Sequence, residues 1–398
     1  MRMKAVIAGT GMTSFGKHAD TGLKALGAAA VTAALQDAGI AGGDLEAAFV
    51  GNAAAGVVTG QESIRGQVIL RSIGIGKIPV VNVENACGGG STALQQACAM
   101  VSAGCYDVVL ALGVEKLYHP DRARIAGAFA GAVDVEASLA AAAQGSGGAP
   151  STALFMELYA GLARDHMARY GTTVQQFAAV ASKTSFHGSL NPRAQFREAL
   201  SVEEVLATPM IAAPLTRAMC SPIGDGAAAV VIVSESKARQ LGLQDPVRVV
   251  TNVLRSGWDH GADEETVSAL CAREAYADAG VGPQDLDVIE CHDACAPSEL
   301  MVYGWLGLCT PAESGRFVES GATRLGGRLP VNTSGGLLRK GHPLGATGAA
   351  QIVELREQLL GRCGQRQVEG ARVALAHNGG GMLGPDAAAM CVTILSRG

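Results

Sequence analysis

The chain has 398 residues, a formal net charge of −5 and 48% hydrophobic residues, with only 4% aromatic. This composition excludes a disordered segment, which lacks the apolar residues for a core, and offers no Lys/Arg cluster for a nucleic-acid binder. The length predicts two or three core-forming units at about 150 residues each, and the 53 glycines and abundant alanine predict tightly packed helices.

In chain order, Lys4 to Ala8 reads as a short buried strand, so the basic start is not taken as a signal peptide. Leu23 to Ala38 reads as a helix stopped by Gly39. Strands are predicted at Ala47–Val50 and Pro79–Val83, then a Gly-rich turn and a helix from Ser91 to Ser102. Asp107–Leu112 and Ala227–Val233 read as further buried strands, and Ala349–Leu360 as a late helix. Alternating strands and helices predict an α/β sheet with helices on its faces. No run reaches the roughly 18 apolar residues of a membrane span, and the Leu-Ser-Arg-Gly end carries no lipidation or peroxisomal signal. Ten scattered cysteines predict reduced thiols in a cytoplasmic enzyme rather than a disulfide framework.

The second half repeats the first. Asp37-Ala38-Gly39-Ile40 with Asp44-Leu45 recurs as Asp278-Ala279-Gly280-Val281 with Asp285-Leu286, both displaced by 241 residues. Two copies of one α/β unit are expected, joined near Arg239–Pro246. Between them Tyr118–Met219 reads as a structured insertion: a Gly/Ala-rich stretch (Ala126–Pro150), helices at Ser151–Tyr170 and Val174–Thr184, and a polar loop at His187–Phe196. An insertion of this kind suits a lid or substrate loop. The expected division is therefore 1–117 with 220–245, an insertion at 118–219, and 246–398.

Four segments carry chemistry. Asn82 to Leu94 is a strand running into Cys87, then Gly88-Gly89-Gly90 and a helix. A thiol at a helix N-terminus is placed where free N–H groups favour its thiolate, as in a strand–turn–helix nucleophile elbow. The alternative is a buried structural cysteine, the reading given to Cys98 and Cys105. Asn332 to Gly348 holds Gly341-His342-Pro343 before another helix; a turn imidazole there can take a thiol proton. Glu290-Cys291-His292-Asp293-Ala294-Cys295 ends a strand of the second copy, and His377-Asn378-Gly379-Gly380-Gly381 is a strand entering a glycine run. Cys291, His292 and Cys295 lack a second cysteine pair, so no metal is expected. His18, His119, His166 and His260 have no glycine context and read as surface or structural. Gly88, Gly341 and Gly380 are expected where substrate approaches the backbone.

Together, and in this order, the four segments resemble the loops of the thiolase superfamily, over essentially the whole chain. The likeness is greatest to its sterol-carrier-protein-type branch, through His292-Asp293, Asn191-Pro192-Arg193-Ala194-Gln195-Phe196 and Gly113-Val114-Glu115-Lys116. The resemblance implies an α/β thiolase fold: two similar βαβαβαββ halves in a five-layered αβαβα arrangement. It implies Cys87 as the acyl-accepting nucleophile, His342 as its activator, and an oxyanion hole shared by His342 and His292. A second hole would come from the N–H groups of Cys87 and Gly379. The branch places an acid/base cysteine where this chain has Ala294; Cys295 lies one residue later, and other thiolases keep such a cysteine at the position of His377. Cys295 is the favoured proton donor, because Pro297 signals the end of regular strand geometry. His377 is the alternative, although Asn378-Gly379 beside it also suits a structural hydrogen bond.

The function implied is CoA-dependent cleavage of a 3-oxoacyl-CoA, branched or aromatic (a benzoylsuccinyl-CoA, for example), through an acyl-cysteine. Coenzyme A would be a co-substrate, with no permanently bound cofactor. The rivals are a thiolase-like retro-aldol lyase and a non-catalytic acyl-CoA- or lipid-binding protein; an intact Cys87 and four intact polar loops argue against both. The resemblance also implies a homodimer or dimer of dimers and makes a small zinc-ribbon/OB-fold partner plausible. No fused lipid-carrier domain is expected after Gly398.

Overall fold

The computed structural model describes residues 3–143, 154–261 and 263–397. β1 (Ala5–Met12) leads through α1 (Leu23–Ala38) to β2 (Ala47–Gly51), then the short helices α2 (Ala55–Thr59) and α3 (Arg65–Arg71) and β3 (Val80–Val83). α4 (Gly89–Ser102) and β4 (Val108–Glu115) follow. The insertion holds α5 (Arg122–Ala130), α6 (Val135–Ala143), α7 (Leu154–Tyr170), α8 (Val174–Ser189), α9 (Val202–Ala207) and a hairpin of β5 (Met210–Ala212) and β6 (Leu215–Thr216). β7 (Gly226–Ser234), α10 (Glu235–Gln240) and β8 (Val247–Arg255) carry the chain into the second half. There α11 (Val267–Ala279), β9 (Val288–Glu290), α12 (Ala296–Trp305), α13 (Ser314–Glu319), α14 (Thr347–Leu359), β10 (Val373–Leu383) and β11 (Asp386–Arg397) complete it.

The nine long-range strands form one mixed sheet in the order β3-β2-β4-β7-β1-β8-β11-β10-β9. The order is symmetric about the β1–β8 contact, where Ala5 pairs with Val249 and Ile7 with Val247. Moving outward, β7 matches β11, β4 matches β10 and β2 matches β9. The place of β3 is taken by a single bridge from Val331 to Ile289. The repeat seen in the sequence lies on this symmetry. α1 and α11 both end in a left-handed glycine, Gly39 at φ 66° and Gly280 at φ 72°. Each then enters a 3-10 turn and a strand.

Strand alternation makes the layers, because neighbouring side chains leave a strand on opposite faces. Ile7 and Phe49 pack inward with Ala93 and Ala97 of α4 and Ala349, Ala350 and Val353 of α14. Val6, Ala8, Ala48 and Val50 face the other way, onto Leu26, Ala30 and Ala34 of α1. On the far side, Val392 and Ile394 of β11 pack on Val267, Cys271 and Ala275 of α11. The α4–α14 pair is therefore the central layer of five. Alanine on both helices lets them approach closely without loss of helix propensity.

Several boundaries differ from those predicted. α4 begins at Gly89, inside the glycine run, and β10 continues through its glycines to Leu383. α8 extends to Ser189, so His187 is helical rather than in a loop; it is fully buried, bonded to Asn332 O and Leu325 N. Its pairing with the 332 segment offsets the polar character that suggested a loop. The Gly/Ala-rich stretch contains the end of α5 and all of α6; its last residues, and residues 151–153 of the predicted helix, lie outside the described residues.

Candidate active site

Cys87 follows β3 in a tight turn. Ala86 takes φ 47°, in the left-handed region where a Cβ costs about 1–2 kcal/mol, and Gly88 N–H bonds back to Asn85 O at 2.8 Å. The turn lifts the thiol off the strand and aims it past the first residues of α4. His292 sits between β9 and α12, His342 in the turn before α14, and His377 on β10. All four line one cavity of about 140 Å³. Sγ of Cys87 and one nitrogen each of His292 and His342 lie within 4.8 Å of one another. The two rings meet edge-on, with centroids 5.2 Å apart. One thiol and two imidazoles converge on a space large enough for a reacting carbonyl. They are also the residues here that could hold a metal ion; Cys291 and Cys295 point into the core instead.

Electrostatics correct one expectation. The N–H groups of Cys87 itself and of Gly381 favour the thiolate, but burial, and after it the charge of Glu115, push the thiol up to about 12. Desolvation outweighs the helix N-terminus, so the resting group is a thiol that needs a base. Burial also keeps the imidazoles neutral. His292 is lowered to about 4, and His342 lies well below its ordinary value through burial and then the charges of His292 and Lys340. His342 Nδ1 lies 2.8 Å from Thr347 Oγ1.

The N–H of Gly381 lies beside the sulfur, and Gly379 lines the cavity. Packing and backbone geometry also require glycine at two of these positions. A Cβ on Gly380 would lie 2.0 Å from Asn85 O and 2.4 Å from Gly88 N, so this glycine lets the last loop close on the Cys87 turn. Gly341 holds φ 112°, and a Cβ there would meet Gln195 Oε1 at 2.9 Å. Gly88 and Gly341 are not in the cavity wall; Gly380 is.

Cys295 is not brought to the site. It is the residue before α12, still extended at φ −143°, ψ 161°. The chain has already left β9 at Glu290 and bends at Ala294; Ala294 faces the cavity, while Cys295 is fully buried behind it, against Ser298 Oγ at 3.1 Å. His377 does line the cavity, but both its nitrogens are engaged, Nδ1 by His292 N–H at 3.5 Å and Nε2 by Ser268 Oγ at 3.1 Å. Burial takes it down to about 3.

Three sets of contacts were not visible in the sequence. Phe155, Met156, Tyr159 and Leu162 of α7 form one wall of the cavity; their i, i+4, i+7 spacing was the available signal. Glu115, fully buried, accepts from Asn52 Nδ2, from the N–H groups of Ala53 and Ala54, and from Gly345 N at 3.0 Å. It thereby ties the end of β4 to the turn that carries His342. Ser91 Oγ reaches Asn378 Oδ1 at 2.9 Å, and Asn378 Nδ2 reaches His292 Nδ1 at 3.0 Å. These last contacts join residues far apart in sequence, which no local pattern reveals.

The family model "Thiolase, N-terminal domain" matches residues 5–236, and "Thiolase C-terminal domain-like" matches 263–397. The chain belongs to the thiolase family. An acetyl-CoA acetyltransferase of Methanothermobacter thermautotrophicus is 39% identical over the full length of both chains. The benzoylsuccinyl-CoA thiolase subunit BbsB of Thauera aromatica is 36% identical, covering 96% of each. Bovine sterol carrier protein 2 is 35% identical over 95% of this chain and 70% of its own. Among solved structures, an Ltp2–ChsH2(DUF35) aldolase superposes with TM-score 0.80 at 25% identity, covering 99% of this chain and 98% of its own. Human mitochondrial 3-ketoacyl-CoA thiolase superposes with TM-score 0.73 at 17% identity, covering 100% and 99%, which establishes the shared fold. This thiolase is accordingly an acyltransferase of the thiolase type, with the five-layered fold and the four family loops gathered at one cavity.

Proposed function

We propose that this thiolase cleaves a 3-oxoacyl-CoA with coenzyme A through an acyl-Cys87 intermediate. The observation that carries the reading is the Cys87 thiol held within 4.8 Å of the His342 and His292 nitrogens at the wall of an apolar cavity. His342 takes the thiol proton as sulfur attacks the 3-keto carbon. His292 and the N–H groups of Cys87 and Gly379 supply donors for the oxyanions; one such donor is typically worth about 2.7–4 kcal/mol of barrier. The carbon–carbon bond then breaks, and the departing enolate carbon takes up the proton held by His342. In the second half, the CoA thiol gives its proton to His342 and collects the acyl group, and Cys87 is restored. This balance needs neither Cys295 nor a second base at His377. CoA is the co-substrate, and no permanent cofactor enters the reaction.

The acyl group we assign is bulky and uncharged, branched or aromatic. Phe129, Phe155, Tyr159 and Trp305 line the cavity in a chain that is only 4% aromatic. Among the described residues no Lys or Arg lines it, and 144–153 contain none in sequence. A free carboxylate, such as that of a benzoylsuccinyl group, would lose its water there without a cation to replace it, so an uncharged acyl group is favoured over that example. The similarity to an Ltp2–ChsH2(DUF35) aldolase and to a thiolase subunit supports a small partner chain, and the family supports at least a homodimer. No helix among the described residues is long and apolar enough to cross a membrane; a cytoplasmic location is part of the proposal.

The same aldolase similarity favours a second reading, retro-aldol cleavage. Products separate the two. A thiolase consumes one CoA per turnover and yields two CoA thioesters. A lyase yields one CoA thioester and a free carbonyl compound, and consumes no CoA. Measuring CoA consumption against a 3-oxo-3-phenylpropionyl-CoA and a 3-hydroxyacyl-CoA decides between them.

A further inference from the structure

The structure assigns Ser91 and Asn378 as positioning residues that hold His292 in the tautomer opposite to that of His342. The inference rests on the thiolase reading of the site. Its starting point is a chain of three buried groups from three separate loops. Ser91 lies on α4, four residues beyond Cys87, and Asn378 lies beside His377 on β10. They are 4% and 1% exposed, so their polar atoms must find partners within the protein.

With the Asn378 amide turned Oδ1 to Ser91 and Nδ2 to His292, proton counting sets the direction of each bond. A carboxamide oxygen only accepts, so the Ser91 hydroxyl donates to Asn378 Oδ1 at 2.9 Å. Gly348 packs against this contact: a Cβ there would lie 2.0 Å from Ser91 Oγ and 2.8 Å from Asn378 Oδ1. With its oxygen committed to Ser91, the amide turns its NH₂ to His292 Nδ1 at 3.0 Å. An NH₂ only donates, so Nδ1 of His292 is bare. The neutral ring then carries its hydrogen on Nε2.

The neighbouring ring is wired the other way. Thr347 Oγ1 donates its single hydrogen to Pro343 O at 3.1 Å. Its lone pair therefore faces His342 Nδ1 at 2.8 Å, which must carry the hydrogen. Nε2 of His342 is left bare. Two imidazoles on one cavity wall thus present one acceptor and one donor. The acceptor can take the Cys87 proton, and the donor is ready for the oxygen on which charge develops. The reverse tautomer of His292 would set a second lone pair against that charge.

Neutron diffraction from deuterated wild-type crystals reads the tautomers directly. The expected map has deuterium on His292 Nε2 and on His342 Nδ1. Deuterium on His292 Nδ1 would overturn the inference. The kinetic arm measures acylation of Cys87 by a simple acyl-CoA thioester across pH. Asn378→Leu should slow acylation by about 10²-fold, the effect of losing one aligned oxyanion donor. Asn378→Asp should add a new ionisation to the pH–rate profile, because a carboxylate at Nδ1 raises the pKa of His292. Ser91→Ala should be milder, about tenfold. Wild-type rates in both Asn378 variants, or an unchanged pH profile in Asn378→Asp, would contradict it. Absence of acylation in the wild type would instead refute the thiolase reading while leaving the neutron result interpretable.

Discussion

Cys87 and Cys295 stand in comparable settings, although β9 is the counterpart of β2 and not of β3. Each follows a strand of its own half, β3 or β9, and each precedes a helix, α4 or α12. In both, burial pushes the thiol up to about 12. Yet one lines the cavity beside two imidazoles, while the other is fully buried against Ser298. The difference lies in the turn. At Cys87 the backbone breaks through a left-handed Ala86, and the thiol leaves the strand. At Cys295 the chain has bent at Ala294, and the extended Cys295 turns its thiol into the core. A helix N-terminus therefore does not make a nucleophile by itself; the turn that aims the thiol and the base that takes its proton do.

The sharpest way to test this contrast is to remove each thiol. Cys87→Ala should lower CoA-dependent cleavage by about 10⁴-fold or more, the scale of a lost nucleophile. His342→Ala should slow acylation by about 10²–10⁴-fold, with far-ultraviolet circular dichroism unchanged. The pH dependence of alkylation follows from the raised thiol. Modification of Cys87 by iodoacetamide should rise about tenfold per pH unit from pH 7 to 10, because the thiolate fraction grows by that factor below a pKa of about 12. A plateau near pH 8–9 would place the thiol in the ordinary range. Cys295→Ala should be the mildest, within about threefold in cleavage rate. Its effect should show in stability instead, at about 1 kcal/mol for a small buried cavity. A large catalytic loss without a stability loss would return the acid/base role to Cys295.

Much of the fold was legible in the sequence. Gly39 and Gly280 marked the ends of equivalent helices, and the 241-residue offset placed both on one symmetric sheet. The four chemical segments were visible because Cys, His and Gly at strand–helix junctions form local patterns. What escaped depends on distance in space. The protonation of Cys87 is set by desolvation, which no spacing encodes. Gly380 is small because Asn85, nearly three hundred residues earlier, packs against it. His187 looked like part of a polar loop until Asn332 and Leu325 supplied its partners. The burial of Cys295 is not readable from Pro297 or from strand alternation, because the chain leaves β9 at Glu290 and bends at Ala294 before α12 begins.

The central claim is that Cys87 carries the acyl group. Rapid quenching of the enzyme with a 3-oxoacyl-CoA in the absence of free CoA, followed by peptide mass analysis, tests it most directly. The account predicts a stoichiometric acyl adduct on the peptide containing Cys87, one acetyl-CoA released per adduct, and loss of the adduct on adding CoA. Cleavage with no adduct on Cys87, or an adduct on another cysteine, would contradict it.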